Sequence, residues 1–211
     1  MKKTILLFVV ILTTGIYFVL NAQSNLEYFQ TDAQETSRIR PNLFYELPGK
    51  INGYSMVDFY TDGTSYFGET FLTRDVVGIV GLELHAYYSS LFTDYAGIGP
   101  IVNVPIGDST TIFTLSFLPL FVDFDGKYVK EYMLAEIVFI TEFNLPIIGN
   151  LRINSFGQIN LAANGGPFWQ YGEAYLEKPI WKIHIGIGAD LLANDKVYPD
   201  PNWGIKVGYN F

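Results

Sequence analysis

"PNWGIKVGYNF", residues 201–211, ends the chain with a strict alternation of side-chain character. From Trp203 to Phe211 every second residue is bulky and apolar, whereas the residues between them are glycine, lysine or asparagine. Period-two alternation predicts a β-strand with one apolar and one polar face. The rest of the chain must therefore show what covers the apolar face, a protein core or another apolar medium.

The composition favours a folded protein and disfavours several classes of partner and site. The chain has 211 residues, of which 49% are hydrophobic and 17% aromatic, so it is too apolar for disorder. Its net charge of −8 argues against nucleic acid as a partner. Cysteine is absent, which excludes disulfides and thiolate metal sites.

The N-terminal residues "MKKTILLFVVILTTGIYFVLNAQ", residues 1–23, predict a secretory signal peptide. Lys2 and Lys3 precede an apolar run over residues 5–20, and the small residue Ala22 marks the expected cleavage site. The alternative is an uncleaved membrane anchor, for which the run is short. We therefore expect a signal peptide over residues 1–22 and one domain over residues 23–211.

Alternation recurs along the chain in segments of about ten residues separated by Gly, Asn, Asp and Pro. Clear examples are "VGIVGLELHAYY" at residues 77–88, "LRINSFGQINLA" at 151–162 and "WKIHIGIGADLL" at 181–192. Ten segments are clear, and two weaker ones are "NLEYFQ" at Asn25 and "IRPNLFYEL" at Ile39. This predicts an all-β fold, an antiparallel up-and-down barrel of about twelve strands, with ten as the alternative.

The residue types on the polar faces of the strands indicate which side of the barrel contacts water. These faces carry glycine, histidine and mixed charges but few long solubilising side chains, which suits a crowded interior better than a free surface. Aromatic residues also cluster near strand ends, as in the girdles of transmembrane barrels. We expect the apolar faces to point outward into lipid; the alternative is a soluble exported β-sandwich. The girdle candidates are Tyr87, Tyr88, Phe92, Tyr95, Phe121, Phe124, Tyr128, Phe168, Trp169, Tyr171, Trp181, Trp203 and Phe211.

The last nine residues, "WGIKVGYNF", resemble the C-terminal assembly signal of bacterial outer-membrane proteins, in which alternating apolar residues end on an aromatic residue. The resemblance implies location in the bacterial outer membrane, with membrane lipid and the barrel assembly machinery as partners. The residues that would form this signal are Trp203, Ile205, Val207, Tyr209 and Phe211.

A second resemblance covers residues 40–78, "RPNLFYELPGKINGYSMVDFYTDGTSYFGETFLTRDVVG". The aromatic-Asp strands and acidic neighbours in this stretch resemble the nucleoside-specific Tsx-type channels, which are twelve-stranded outer-membrane barrels. The resemblance implies that the acids and aromatics of these strands contact solute; they are Asp58, Tyr60 and Glu69.

Catalytic motifs are absent from the sequence: it has no G-x-S-x-G, no H-E-x-x-H and no phosphate loop. His85 and His184 are the residues suited to act as bases near neutral pH, but neither has the serine spacing of outer-membrane lipid hydrolases. A metal site formed by these histidines with Glu83 and Asp190 requires their strands to be neighbours. We expect hydrogen-bonded lumen histidines, no enzyme activity, no metal and no cofactor.

The predicted function is an outer-membrane channel for passive diffusion of small polar solutes, with nucleoside-like molecules as one candidate. The alternatives are a non-conducting barrel that serves envelope structure or assembly and, third, a lipid-modifying enzyme. Candidate lumen or solute contacts are Asp58, Tyr60, Glu69, Glu83, His85, Tyr87, Arg152, Asn154, Lys182, His184 and Asp190. Further lumen-facing positions are Tyr95, Asn103, Glu136, Glu142, Gln158, Asn160, Lys206 and Asn210.

Overall fold

The computed structural model describes residues 23–31, 37–90, 94–107, 111–130, 132–162, 166–192 and 200–211. Within these ranges no helix is both long enough and apolar enough to cross a membrane. The signal-peptide prediction falls on residues 1–22, outside the described residues. The strand segments are β1 (Gln23–Thr31), β2 (Arg38–Leu47), β3 (Ile51–Tyr60), β4 (Tyr66–Val77), β5 (Val80–Ser89), β6 (Tyr95–Pro105), β7 (Ile112–Leu118), β8 (Leu120–Asp123), β9 (Leu134–Leu145), β10 (Gly149–Asn160), β11 (Phe168–Ile180), β12 (Ile183–Leu192) and β13 (Asp200–Asn210).

The strands form one closed antiparallel ring in chain order. β7 and β8 both pair with β6 and are two parts of one barrel strand, interrupted at Pro119, which has no N–H to donate to a ladder. The ring therefore has twelve strands, and pairing of β5 with β6 and of β1 with β13 closes it. The predicted twelve-stranded up-and-down barrel is confirmed, and the soluble sandwich is excluded. The two weak segments at Asn25 and Ile39 are β1 and β2.

The terminal strand closes the ring. β13 pairs with β1 in the register Leu26–Tyr209, Tyr28–Val207, and the amide of Phe211 donates to the Ser24 carbonyl at 3.0 Å. Closing a sheet leaves no edge with unpaired backbone groups. The alternating C-terminal segment therefore completes the backbone hydrogen bonding of the fold.

The two ends of the barrel differ in the length of their connections. At the end that carries both termini, the connections span two to six residues, and at the other end five to ten. The tightest turns need a left-handed residue, as at Gly78 (φ 58°) between β4 and β5. At the other end, Asp62 closes the β3–β4 connection, and hydrogen bonds from the side chain and amide of Ser65 and from the amide of Thr64 lower its pKa. Short turns at one end and longer loops at the other are typical of outer-membrane barrels.

The two faces of the sheet are divided as the alternation predicts. Val80, Ile185 and Val207 lie on the outer face and are 44%, 44% and 41% exposed, whereas Glu83 and Lys206 point into the barrel and are both 2% exposed. A soluble protein would show the opposite arrangement. The barrel thus presents an apolar exterior around a polar interior, which fits an outer-membrane protein.

The aromatic girdle prediction is correct for part of its members. Trp181, Trp203 and Phe211 lie on the outer face near the barrel ends. Tyr87 and Phe121, in contrast, are inside the barrel and almost fully buried, because they share the inward face of their strands with polar neighbours. Phe92 lies outside the described residues.

Candidate functional site

Charged side chains fill much of the barrel interior, where an isolated charge would be strongly disfavoured. They form three groups, each at most 7% exposed. We call them the arginine cluster (Arg38, Arg40, Asp58, Glu173 and Asp190), the lysine cluster (Glu27, Glu177, His184 and Lys206) and the histidine cluster (Glu69, Glu83, His85 and Glu136).

The arginine cluster ties β2 and β3 to β11 and β12 across the lumen. Arg38 donates to Asp190 Oδ2 at 2.5 Å and to Glu173 Oε1 at 2.6 Å. Arg40 binds Asp58 through two parallel bonds of 2.6 and 2.7 Å and also donates to both oxygens of Glu173. The planar guanidinium fork suits such paired carboxylate contacts. Because β2 and β11 are four places apart in the ring, these bonds cross the interior and do not follow the wall.

Aromatic residues complete the surroundings of the arginine cluster. The Tyr171 hydroxyl donates to Glu173 at 2.6 Å and the Tyr175 hydroxyl to Asp190 at 3.1 Å. The Arg38 guanidinium carbon lies 4.0 Å from the centroid of the fully buried Phe29 ring. Glu173 and Asp190 therefore each have an arginine and a tyrosine hydroxyl as neighbours, and Asp58 has both arginines, which offsets the desolvation of these carboxylates.

The lysine cluster lies nearer the end with the termini. The Lys206 ammonium pairs with Glu177 and lies 3.4 Å from Glu27 Oε1. His184 Nε2 is 3.0 Å from the same Glu27 oxygen, and Asn42 donates to the other oxygen at 3.0 Å. This cluster thus joins β1 to β11, β12 and β13 around one lysine.

Gly208 lets the His184 ring lie against the neighbouring strand. A Cβ placed on Gly208 would fall 2.1 Å from His184 Cε1 and Nε2. We expect Gly208→Ala to displace the imidazole from Glu27 and to lower the free energy of unfolding by about 1–3 kcal/mol, as for other overpacked sites. Urea unfolding in detergent measures the change. Gly186→Ala is the matched control on the neighbouring strand, because the nearest atom to its Cβ would be Glu177 Cγ at 3.1 Å, and the next, the Leu176 carbonyl oxygen, would be at an ordinary contact distance of 3.4 Å. Equal losses would contradict the expectation.

The histidine cluster is the group without a strong cation. His85 Nδ1 lies 3.1 Å from Glu136 Oε1 and 3.6 Å from Glu83 Oε1, and its Nε2 lies 3.6 Å from Glu69 Oε1. Among the described residues, no arginine or lysine pairs with these carboxylates. Within that same part of the chain, three buried atoms of this cluster lack a hydrogen bond of acceptable geometry: both ring nitrogens of His85 and Glu83 Oε1. The three carboxylates are therefore close together, and little positive charge or hydrogen bonding offsets their burial.

Two polar side chains hold the histidine cluster in position. The Gln158 amide donates to Glu136 at 2.7 Å and to Glu69 at 3.1 Å, and the Ser116 hydroxyl donates to Glu83 Oε2. Gln158 comes from β10 and Glu69 from β4, on nearly opposite sides of the ring. The carboxylates are thus oriented from two walls of the barrel.

An apolar layer lies in the interior at the end with the longer connections. Tyr132, from the connection between β8 and β9, packs on Tyr87, Tyr95 and Phe121 with centroid distances of 6.3, 5.4 and 4.6 Å. Burial raises the pKa of Tyr132, and its hydroxyl accepts a hydrogen bond from the Gln170 side chain. The layer therefore consists of neutral rings, with Leu118 and Leu134 fully buried beneath them.

The barrel is bridged across its full width. Phe67 on β4 and Tyr171 on β11 belong to strands six places apart in the ring of twelve, yet their ring centroids are only 6.5 Å apart. A circular barrel of twelve strands about 4.8 Å apart, tilted by about 40°, would be about 24 Å wide. Side chains from opposite walls meet only if the cross-section is flattened, and they leave little space between the walls at that height.

The candidate lumen residues predicted from the sequence do not form one site and belong to different clusters. Asp58 and Asp190 belong to the arginine cluster, and His184 belongs to the lysine cluster. The metal site considered from His85, His184, Glu83 and Asp190 is therefore not assembled, because these side chains belong to three separate clusters. Glu83, His85, Glu69 and the stacked ring of Tyr87 do meet, with His85 and Tyr87 centroids 4.1 Å apart.

Besides Tyr87, four candidates lie outside the clusters. Tyr60 and Asn154 are half-buried. Arg152 pairs with Glu142 at 2.6 Å near the end with the termini, where the two side chains are 44% and 41% exposed. Lys182 lies in the β11–β12 turn, with its ammonium 5.8 Å from the Tyr209 centroid on the outer face.

The principal residues missed from the sequence are Arg38, Arg40, Glu27, Glu173 and Glu177. The alternation in "RIR" and in "GEAYLEK" indicates that these charged residues point inward, because each lies two positions from the next inward residue. Arg40 lies in one of the two weaker segments of alternation, "IRPNLFYEL", and Arg38 directly precedes it, so the pattern did not predict that these two charges face the lumen.

Comparisons of the chain with protein-family models, with curated proteins and with solved structures found no match. The resemblance to Tsx-type channels therefore has no support beyond the residues that suggested it. Fold and site geometry alone bear on function.

Proposed function

We propose that this protein is a bacterial outer-membrane β-barrel with a closed lumen, which serves the envelope as a structural or assembly-partner barrel. The observation that carries the proposal is the contact between Phe67 and Tyr171 from opposite walls, together with interior charges that are almost inaccessible to water. An open pore needs a continuous wet path lined by accessible side chains.

Three features support placement in a membrane. Each of the twelve barrel strands pairs with both of its neighbours, which satisfies backbone groups that lipid cannot bind; the short β8 part of one strand pairs with β6 alone. The outer face is apolar, and the connections are short at the end that carries the termini. Lipid would then cover the outer face, and the alternating strand that ends at Phe211 would be the segment recognised by the assembly machinery.

The ion-pair networks support closure. Arg38, Arg40 and Lys206 are each held by more than one carboxylate from another strand. Opening a path between them would separate several charge-assisted hydrogen bonds at once, and each of these bonds contributes about 1.5–3 kcal/mol. The aromatic layer around Tyr132 adds an apolar barrier at one end.

A passive channel for small polar solutes is the second candidate, favoured by the charged and tyrosine-rich interior. It requires that the two walls move apart, since the contacts described above occupy the path. Under this alternative the solute would be small and polar, and the barrel would need an open state with the cross-wall contacts broken.

Conductance separates the two candidates. In planar bilayers we expect the wild-type protein to give no current steps, whereas Phe67→Ala/Tyr171→Ala, which removes the contact between opposite walls, should give small steps. The matched control Tyr28→Ala/Phe59→Ala removes two rings from the outer face and should remain silent. Recovery of folded, heat-modifiable protein from the membrane shows insertion in each case. Steps from the wild type would favour the channel.

We propose no catalytic role for His85 or His184. Both are buried in the interior, at 0% and 5% exposure, and contact carboxylates on other strands. A lipid substrate would approach from the outer face, which neither ring reaches. Turnover of labelled lipid by the wild type, lost in His85→Gln or His184→Gln, would contradict this.

A further inference from the structure

We propose that the histidine cluster binds one divalent first-row transition-metal ion of the Zn²⁺ type, with Glu83, His85 and Glu136 as its ligands. These residues come from β5 and β9, three places apart in the ring, and each is at most 5% exposed. The site lies inside the barrel wall and does not depend on whether the lumen conducts.

The donor atoms have the spacing of a coordination sphere. One donor atom from each of the three residues lies within 4.8 Å of the others. His85 Nδ1 is 3.1 Å from Glu136 Oε1 and 3.6 Å from Glu83 Oε1. Two ligand atoms on a tetrahedral ion, each about 2.1 Å from the metal, are about 3.4 Å apart. The two distances from the imidazole nitrogen are therefore close to those between ligands of a tetrahedral ion, and the two carboxylate donors lie within 4.8 Å of each other.

The unused bonding capacity of the cluster points to a ligand. Within the described residues, His85 Nδ1 and Glu83 Oε1 are buried without a hydrogen bond, although they are close to each other. Buried polar atoms in folded proteins are normally satisfied. The other oxygen of Glu83 accepts from Ser116, so the atom left unsatisfied is the one that faces the imidazole.

Charge leads to the same conclusion. The other two interior clusters contain arginine or lysine, whereas three carboxylates here share one histidine. With all three acids ionised, even a protonated histidine leaves two negative charges uncompensated. A divalent cation bound to the neutral imidazole offsets two of the three carboxylate charges, and an imidazole ligand favours a transition ion over Ca²⁺ or Mg²⁺, which prefer oxygen.

Glu69 has the position of a supporting residue. Its Oε1 lies 3.6 Å from His85 Nε2, on the side of the ring opposite to the proposed ion. A carboxylate that accepts the second N–H of a metal-bound histidine orients the ring and makes it a stronger ligand. Gln158 binds both Glu69 and Glu136 and would hold this arrangement together.

Metal content after refolding tests the site. The full chain is refolded from urea into detergent with Zn²⁺, then desalted, and bound zinc is measured by mass spectrometry. We expect about one zinc per folded chain for the wild type. His85→Gln should lose it, and so should Glu136→Gln. His184→Gln is the matched control, because it removes the other buried imidazole and should retain the ion. Heat-modifiable migration identifies folded protein for every variant.

The affinity of a positioning variant provides a second readout. Glu69→Gln should still bind one zinc at saturation but with a Kd raised about 10–100-fold. Co²⁺ bound to the wild type should show the intense visible absorption of a tetrahedral site, which remains informative if the His85 and Glu136 variants do not fold. The proposal is overturned if the folded wild type takes up neither Zn²⁺ nor Co²⁺, if Mg²⁺ or Ca²⁺ binds in preference, or if folded His85→Gln retains as much zinc as His184→Gln.

Discussion

Arg38→Met is expected to destabilise the barrel by about 3–5 kcal/mol, the range found when one partner of a buried ion pair is removed. Arg38 is 1% exposed and donates to Asp190 and to Glu173. Glu173 keeps Arg40 as a partner, but Asp190 keeps only a hydroxyl donor, Tyr175, among its described contacts. The cost therefore arises mainly from one buried carboxylate without a cation. Urea unfolding in detergent, followed by tryptophan fluorescence, measures it.

Arg152→Met is the matched control for this prediction. Arg152 also binds a carboxylate, that of Glu142, but the two side chains are 44% and 41% exposed, so the loss should be at most about 1 kcal/mol. Arg38→Met combined with Asp190→Asn should recover part of the stability, with a coupling of about 0.5–3 kcal/mol. Similar losses for Arg38→Met and Arg152→Met would mean that the interior is hydrated and the cluster does not close it.

Ile187→Arg tests which medium covers the outer face. Ile187 lies near the middle of β12 and is 63% exposed, opposite Leu176 and Ile205 on the neighbouring strands. If lipid covers this face, an arginine at mid-depth should lower the free energy of unfolding by about 2–4 kcal/mol. Folding into lipid vesicles, measured by titration with denaturant, gives the value.

Depth along a single strand supplies the control. Ile183→Arg introduces the same side chain on the same face at the first residue of β12, where the cost should fall to about 0–1 kcal/mol because the charge reaches the interface. Equal and small effects at both positions would indicate that water covers the outer face. The proposal of a membrane barrel would then fail, whether its lumen is closed or open.

The kind of contact inside the barrel determines how easily its cross-section can change. Many of its cross-lumen contacts are charged or hydrogen-bonded, so they are directional and hold particular strands together. The arginine cluster connects four strands, and the histidine cluster connects β4, β5 and β9. Contacts of this kind oppose a change in the cross-section, because breaking one leaves a buried group without its partner.

The zinc proposal and the closed-lumen proposal can fail separately. Loss of metal binding would leave the arginine and lysine clusters and the Phe67–Tyr171 contact unchanged. Conductance of the wild type would not contradict the metal site, because Glu83, His85 and Glu136 would still lie together on the inner face of the barrel. A barrel that binds zinc and stays silent in bilayers would support both.

The sequence alone determined the class of fold and the division between the two faces. Successive side chains of a β-strand point to opposite faces, so one pattern assigns Val80 and Val207 to the outside and Glu83 and Lys206 to the inside without knowledge of strand order. The same rule predicted the closing strand at residues 203–211. It was less effective for β1 and β2, where Phe29 is apolar and inward and Pro41 interrupts the pattern.

Only the tertiary structure decided which inward residues meet. His85 and His184 have similar local sequence, yet one faces three carboxylates and the other pairs with Glu27 beside a lysine. Their partners come from strands distant along the chain, such as Glu136 for His85. Register and the flattening of the barrel set these distances, and neither leaves a mark in a local pattern. For that reason the sequence predicted a polar lumen, and only the fold revealed that its walls touch and that three donors converge.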